Sequence, residues 1–264
     1  MPRERMQQFG QMVLMDSWVD HWLHDIYARQ NFIAIMDDAT SQVNCWMYDR
    51  DTTEVDMRFL TKYIEIHGRP LSISTGKARK YHSARAAGLV GASQAELEEL
   101  ESRHTQLQFL RALNDLDINV IHTYNMVDKA RILRFFVSCR KYLLPQLRAE
   151  KISDLAEANT FLQEKFVPEW NRGEHSRIRK PELEGSACRP VGKLDLDSIL
   201  CLHSQIVVSD GNCFELDGTT YLIKGGKSLG NLAGKTITVE KRIRGPVKTA
   251  ARHNGKSLKI EEKQ

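Results

Sequence analysis

The order of hydrophobic patterns in the first 170 residues is the feature that most constrains the fold of this chain. Three strand-like runs, at 12–15, 32–36 and 43–48, precede a helix, a strand, a helix, a strand and a helix. Adjacent strands separated by short polar breaks predict an antiparallel meander, whereas strands reached through helices predict parallel neighbours. The sequence therefore predicts an α/β domain in which helices flank a mixed five-stranded sheet.

The first helix has the clearest boundaries among these elements. Between Thr53 and His67, apolar residues recur at i+4 spacing, as they do on one face of a helix. Thr53 is a suitable cap at its start, and Gly68 with Pro70 stops it. The same reasoning predicts helices that begin at Thr105, run over 127–147 and extend from Ser153 to Phe166, with strands at 71–74 and 118–121.

The composition changes after Trp170. Residues 171–192 hold five glycines and prolines, which is typical of a linker. The short β-like runs that follow are separated by turn pairs such as Asp217-Gly218 and Asn254-Gly255, and they predict a small all-β barrel or sandwich. We expect four parts: an N-terminal tail (1–11), the α/β core (12–170), a basic linker (171–193) and a C-terminal β-barrel domain (194–264).

The charge distribution points to a polyanionic partner. Residues 1–75 carry 7 Lys and Arg against 11 Asp and Glu, whereas residues 225–264 carry 10 against 3. A solvated tail that only maintains solubility is the alternative. The absence of a long apolar run, of a signal-peptide pattern and of paired cysteines predicts a cytoplasmic protein with no membrane partner. We also expect no small-molecule substrate.

Five segments occur together in an order that resembles a known family. They are Gly10–Leu23, Phe32–Val43, His67–Ser74, Thr105–Asn125 and Lys129–Phe135. In this order and spacing they resemble the core of DDE-type transposases and retroviral-type integrases, most closely the bacterial insertion-sequence transposases. The resemblance implies an RNase H-like core, a C-terminal β domain and a homo-oligomer that acts in DNA transposition, integration and recombination. The N-terminal helix-turn-helix region of such transposases is expected to be missing, because this chain starts almost at the core.

The same resemblance implies a site in which three carboxylates hold two divalent metal ions. Such ions stabilise the attacking and leaving oxygens of a phosphodiester exchange and need hard oxygen ligands. The first position falls on Asp16, the second on Gly76 and the third on Leu133. Glycine and leucine carry no ligand atom, so the sequence predicts a catalytically impaired protein with no cofactor, a pseudoenzyme. If activity remains, we expect Mg²⁺ or Mn²⁺ with Asp16 as a weak ligand.

The residues leave two other functions open. An active metal-dependent transposase would need other carboxylates, for which Asp37, Asp38 and Asp128 are the candidates considered. An interaction module without a DNA role is the second alternative.

DNA is the partner we favour, because basic residues cluster in several segments. Contacts from such side chains to phosphates fix position without selecting a sequence. The predicted DNA-binding residues are Lys77, Arg79, Lys80, Lys129, Arg131, Arg134, Arg177, Arg179, Lys180, Lys241, Arg242 and Arg244.

Overall fold

The computed structural model describes residues 4–23, 28–75, 107–122, 126–224, 230–244 and 248–263. The chain divides into two units, Met1–Leu194 and Asp195–Gln264. The strands of the first unit are β1 (Val13–Asp20), β2 (Gln30–Asp37), β3 (Val43–Tyr48), β4 (Ser72–Thr75) and β5 (Asn119–His122). Its helices are α1 (Thr53–His67), α2 (107–115), α3 (Met126–Ala149), α4 (Leu155–Phe161) and α5 (Val167–Arg172).

The sheet of the first unit has the predicted topology. Within the described residues it has five strands in the order β3-β2-β1-β4-β5. Strands β1, β2 and β3 are antiparallel neighbours, whereas β4 and β5 are parallel to β1. The predicted fold class, a mixed five-stranded RNase H-like sheet flanked by helices, is confirmed.

The helix boundaries follow local chemistry, with two small corrections. Helix α1 covers the predicted residues, but the capping side chain is Thr52, whose hydroxyl accepts a hydrogen bond from the Val55 amide. Helix α4 is capped by Asp154 and not by the predicted Ser153, because the side-chain oxygen of Asp154 accepts from the amide three residues on. Between α4 and α5 the chain makes a π-helical turn, Leu162–Phe166, so the helix extends further than predicted.

Aromatic packing joins α3 to the sheet. Phe32 of β2 lies 6.0 Å from Phe135 and 5.7 Å from Phe136, measured between ring centroids. Trp22 contacts Phe32 at 4.9 Å, and Trp170 contacts Phe135 at 4.8 Å. All five side chains are buried, so the main core lies between α3, α4, α5 and one face of the sheet.

The segment predicted to be a linker lies against the N-terminal residues of the same unit. The amides of Leu183 and Ala187 donate to the carbonyls of Gln7 and Phe9, and Arg189 exchanges two backbone hydrogen bonds with Arg69. At Gly68, the residue before Arg69, the backbone of Arg189 is too close to leave room for a side chain. A Cβ at Gly68 would lie 2.6 Å from the Arg189 carbonyl oxygen, and Gly68 also has a positive φ of 84°.

Side-chain amides cover the outer edge of β3. Asn159 accepts from the Met47 amide at 2.8 Å and donates to the Met47 carbonyl at 2.9 Å. Asn171 makes the same pair of bonds to Val43, at 2.8 and 3.0 Å, and Gln163 donates to the Cys45 carbonyl at 2.9 Å. An uncovered edge strand offers unpaired backbone groups to other chains. The amides of α4, α5 and the turn between them replace a sixth strand.

The second unit consists of a short helix, α6 (Leu196–Ile199), and an antiparallel sheet. The described residues form six strands, β6 (Leu202–Val207), β7 (Cys213–Leu216), β8 (Thr219–Lys224), β9 (Thr236–Arg242), β10 (Lys248–His253) and β11 (Lys256–Glu262). Their order is β6-β9-β10-β11-β8-β7, and a bridge between Ser209 and Cys213 brings the two ends of this order together. The predicted small β barrel is therefore nearly closed. Strand β10 is an addition to the strands expected from sequence.

Replacing Asn159 with leucine tests the amide cover of β3. The substitution leaves two backbone groups of Met47 buried without a partner, and we expect it to lower the free energy of unfolding of the first unit by about 3 kcal/mol. All four tryptophans lie in this unit, so urea denaturation followed by tryptophan fluorescence measures it alone. Thr160→Ala, at an exposed neighbouring position, is the control and should change stability by less than about 0.5 kcal/mol. Equal stability of both variants would contradict the assigned role.

Candidate functional site

Asp16 lies in the middle of β1, at the position that the resemblance assigns to the first metal-binding carboxylate. Its backbone pairs with Ala34 of β2, and its neighbour Met15 pairs with Thr75, the last residue of β4. Leu14 and Trp18 on the same face of β1 pack into the core formed with α3. Asp16 therefore faces α3. Its Oδ1 accepts a hydrogen bond from the Ser17 amide at 2.9 Å, and its side chain is half-buried.

Leu133 lies on α3, which packs against β1. Helix α3 follows β1 in the same direction, because Phe136 contacts Trp18 at 6.0 Å and Arg140 pairs with Asp20 at 3.2 Å. Leu133 precedes Phe136 by one helical turn. Leu133 thus lies on the part of α3 that precedes these contacts, as Asp16 precedes Trp18 on β1. The leucine side chain is half-buried.

At the three positions that the resemblance assigns, the residues do not supply the ligands of a two-metal centre. Of the three predicted positions, Asp16 supplies a carboxylate, Leu133 supplies methyl groups and Gly76, which lies outside the described residues, has no side chain. Mg²⁺ and Mn²⁺ need several oxygen ligands in one place. In the described part of the chain, no group of three His, Cys, Asp or Glu residues is arranged to hold a metal ion.

The carboxylates that end β2 serve the structure of the N-terminal segment. Asp37 accepts from the amides of Gly10 and Thr40 and from the Thr40 hydroxyl, each at 2.8 Å. Burial raises the pKa of Asp37, and these three hydrogen bonds oppose that shift. Asp38 accepts from the Met6 amide at 2.9 Å and forms an ion pair with Arg131. Both are therefore committed to the fold. The side chain of Asp128 lies outside the described part.

Arg5 and Arg131 bind Asp38, and the charges of two further arginines act on Arg5. We call these four residues the arginine cluster: Arg5, Arg131, Arg134 and Arg179. Arg5 donates to the Asp38 carbonyl at 2.7 Å and to the Ser41 hydroxyl at 2.8 Å. Its pKa lies below the ordinary value, first because of burial and then because of the charges of Arg131 and Arg179, with a smaller effect of Arg134. Asp38 acts in the opposite direction. Residues from three distant segments thus form one cationic site.

Three of these four residues were predicted from sequence, and Arg5 was missed. Arg131 and Arg134 lie on α3, whereas Arg179 lies in the segment after α5. The side chain of Arg131 is only 14% exposed and is held by Asp38, while Arg134 and Arg179 are exposed. A lone arginine in a polar tail carries no signal of its own, so only its contacts with Asp38 and Ser41 reveal Arg5.

The other predicted basic residues of the first unit lie nearby in sequence. Lys129 is half-buried on α3, Arg177 is exposed, and Lys180 is exposed and 3.7 Å from Glu184. Lys77, Arg79 and Lys80 lie outside the described residues.

In the second unit, each predicted basic residue has an acidic partner. Lys241 pairs with Asp217 at 2.9 Å and Arg244 with Asp197 at 3.3 Å. Arg242 donates to Glu240 at 2.8 and 2.9 Å and reaches Asp195 at 3.4 Å. These pairs offset part of the positive charge that the sequence shows in this region.

Glu240 is the buried centre of this charged network. Its side chain is 1% exposed and accepts from the Ser198 hydroxyl at 2.7 Å, while Arg242 and Arg252 form ion pairs with it. Burial alone disfavours its ionised form, but the hydrogen bonds from Ser198 and Arg242 and the charge of Arg252 outweigh burial. The pKa of Glu240 therefore lies below its ordinary value. This network ties α6 to the sheet.

The comparisons with known proteins agree with the family resemblance found in the sequence. No protein-family model matches the chain. The protein named "Putative transposase y4bF" of Sinorhizobium fredii is 22% identical over 239 residues, which cover 89% of this chain and 49% of that protein. The chain thus spans about half the length of this relative. The chain resembles the DDE-type transposases and integrases, as predicted.

Two solved structures illustrate the structural likeness. The simian T-cell lymphotropic virus intasome in complex with PP2A regulatory subunit B56 gamma has a chain with a TM-score of 0.42 and 12% identity. The match covers 98% of this chain and 81% of that one. The HTLV-2 integrase catalytic core domain in complex with magnesium, in its dimeric form, has a TM-score of 0.36 and 14% identity. Here the match covers 58% of this chain and 86% of that one. Among the described residues, no helix is long and apolar enough to cross a bilayer.

The lowered pKa of Glu240 predicts how the second unit responds to acid. Its ionised form contributes stability above the unfolded pKa of about 4.5, and that contribution is lost as the pH falls through the lower folded pKa. Glu240→Gln removes it. We therefore expect a loss of about 3 kcal/mol at pH 7 and a shallower dependence of stability on pH between about 5 and 3.

Far-ultraviolet circular dichroism during heating measures this effect, with tryptophan fluorescence as an internal reference for the first unit. Glu215→Gln makes the same chemical change at an exposed position of β7 and should leave the profile unchanged. A Glu240→Gln profile parallel to that of the wild type would contradict the role of this carboxylate.

Proposed function

We propose that this chain is a transposase/integrase-core protein that binds duplex DNA and does not catalyse metal-dependent strand transfer. The fold class and the sequence resemblance support the first part. The residues at the assigned ligand positions support the second part and carry the proposal. Asp16 keeps a carboxylate on β1, whereas α3, which packs against β1, carries Leu133 where the resemblance implies a carboxylate.

The replaced carboxylates explain how such a core remains folded. Several carboxylates in one place repel each other and raise one another's pKa when no metal is bound. Leu133 on α3 replaces one of these charges with a half-buried apolar side chain, which is neutral or favourable for stability. Binding needs the shape and the surface charge of the core. Catalysis additionally needs the ligands.

The exposed basic side chains supply the proposed DNA contact. Arg134, Arg177, Arg179 and Lys180 are exposed in the first unit, and each can reach a phosphate oxygen without uncovering the core. Because of such contacts, the affinity for DNA falls steeply as the salt concentration rises, and it does not depend on the base sequence. Following the family resemblance, we propose that the protein acts as a homo-oligomer in the cytoplasm.

A nicking assay with a matched variant tests the catalytic part of the proposal. We expect the full chain to release no more nicked or joined product from supercoiled plasmid than buffer does, in the presence of Mg²⁺ or Mn²⁺. Asp16→Asn should behave identically, since one carboxylate cannot hold the metal pair. Metal-dependent nicking that Asp16→Asn abolishes would show an active transposase and overturn the proposal.

Duplex binding, measured by fluorescence anisotropy in the same buffers, tests the DNA part. We expect binding at about 50 mM salt that weakens steeply by about 200 mM and that is unchanged by EDTA. If no binding occurs at the lower salt concentration, the interaction module without a DNA role is the better description.

A further inference from the structure

The arginine cluster concentrates positive charge at one place on the first unit. Arg5 and Arg131 are held in position by Asp38, as described above, and Arg134 is anchored by a 2.9 Å hydrogen bond from its Nε to the Ala130 carbonyl. Arg179 is placed by its backbone amide, which donates to the Thr40 carbonyl at 2.9 Å. These contacts hold the side chains of Arg5, Arg131 and Arg134 and the backbone of Arg179 before any ligand arrives.

This arrangement has an electrostatic cost in the isolated protein. Guanidinium groups remain charged at all physiological pH values, and neighbouring like charges in a partly buried site repel each other more strongly than in water. Asp38 offsets one of the four charges. The carboxylates of Glu4 and Glu182 line an adjacent cavity of about 350 Å³ together with Arg5, Arg179 and Lys180. Both carboxylates are exposed, where their charges are well screened.

A bound oxyanion would offset the repulsion between these guanidinium groups. Planar guanidinium groups donate two parallel hydrogen bonds to phosphate oxygens, and Arg134 and Arg179 are exposed in the cluster. The charges of Arg5 and Arg131 add to the positive potential of the cluster, so a phosphate bound there interacts with more than the two exposed charges.

We propose that the arginine cluster is a preformed phosphate-binding site that holds the backbone of duplex DNA. This inference rests on the proposed function and adds to it the place where the backbone is held and the three chain segments that build the site. The N-terminal segment, α3 and the segment after α5 each contribute, so DNA bound there links parts of the unit that are distant in sequence.

Arg134→Gln and Arg179→Gln test the proposal, because both side chains are exposed and neither substitution uncovers the core. One phosphate contact changes the affinity for duplex about eightfold for each tenfold change in salt. We therefore expect each variant to bind a 20-base-pair duplex about eightfold more weakly at about 0.1 M salt, with a salt slope reduced by about 1. At about 1 M salt their affinities should equal that of the wild type.

Thermal unfolding gives a second, independent signature. Without a bound anion, each variant should unfold at a higher temperature than the wild type in about 10 mM salt, because one repelling charge is gone, and about 0.5 M sodium chloride should remove the difference. Inorganic phosphate should raise the unfolding temperature of the wild type more than that of either variant. A purely structural arginine would give the opposite sign.

Arg50→Gln is the matched control. This residue is 78% exposed beside Asp49, so the substitution removes the same charge from a site outside the cluster, and we expect smaller changes in both measurements. If the wild type binds duplex and Arg134→Gln and Arg179→Gln bind it as Arg50→Gln does, the cluster proposal is overturned. The proposed function is then left intact. If inorganic phosphate stabilises the wild type more than the two variants but the substitutions leave duplex affinity unchanged, the cluster binds free phosphate and not DNA. That result would also overturn the cluster proposal. No duplex binding by any variant would instead overturn the proposed function.

Discussion

The paired carboxylates at the end of β2 are the interaction on which the first unit depends. Asp37 binds the backbone of the N-terminal segment and of the turn to β3, and Asp38 binds the N-terminal segment and Arg131 of α3. A buried carboxylate without partners is strongly unfavourable, whereas one that accepts several hydrogen bonds is stable. Asp37 and Asp38 thus hold the N-terminal segment against the end of the sheet, and Asp38 also positions Arg5 and Arg131. The fold and the candidate binding surface therefore depend on the same pair of carboxylates.

The scaffold of the first unit does not depend on the residues at the candidate ligand positions. Strand order, the parallel pairing of β1 with β4 and the packing of α3 on β1 depend on hydrophobic contacts and backbone hydrogen bonds. None of these requires a carboxylate at Leu133, and crowded carboxylates generally work against stability. The scaffold therefore does not depend on such ligands, as the proposed function requires. A surface that attracts phosphate can remain useful on such a scaffold, because it needs only charges at fixed positions.

The amides of Asn159, Gln163 and Asn171 show why some of the structure was beyond sequence reasoning. Hydrophobic periodicity predicted β3 and the helix that covers it, because those patterns are local. The partners of the β3 edge lie more than 100 residues away along the chain, and polar residues on a helix otherwise indicate a solvated face. Lys241, Arg242 and Arg244 give a second example. The sequence shows their positive charges but not that they form ion pairs with Asp217, Asp195 and Asp197.

The sequence by itself determined the class of fold, the order of its elements, the family resemblance and the identity of the residues at the three candidate ligand positions. These properties follow from local patterns and from side-chain chemistry, which need no coordinates. Tertiary structure decided which charges meet. It brought Arg5 beside Arg131, Arg134 and Arg179, placed Glu240 in a buried ion network and packed residues 171–193 against the N-terminal segment, because electrostatic interactions depend on distances in space and on burial.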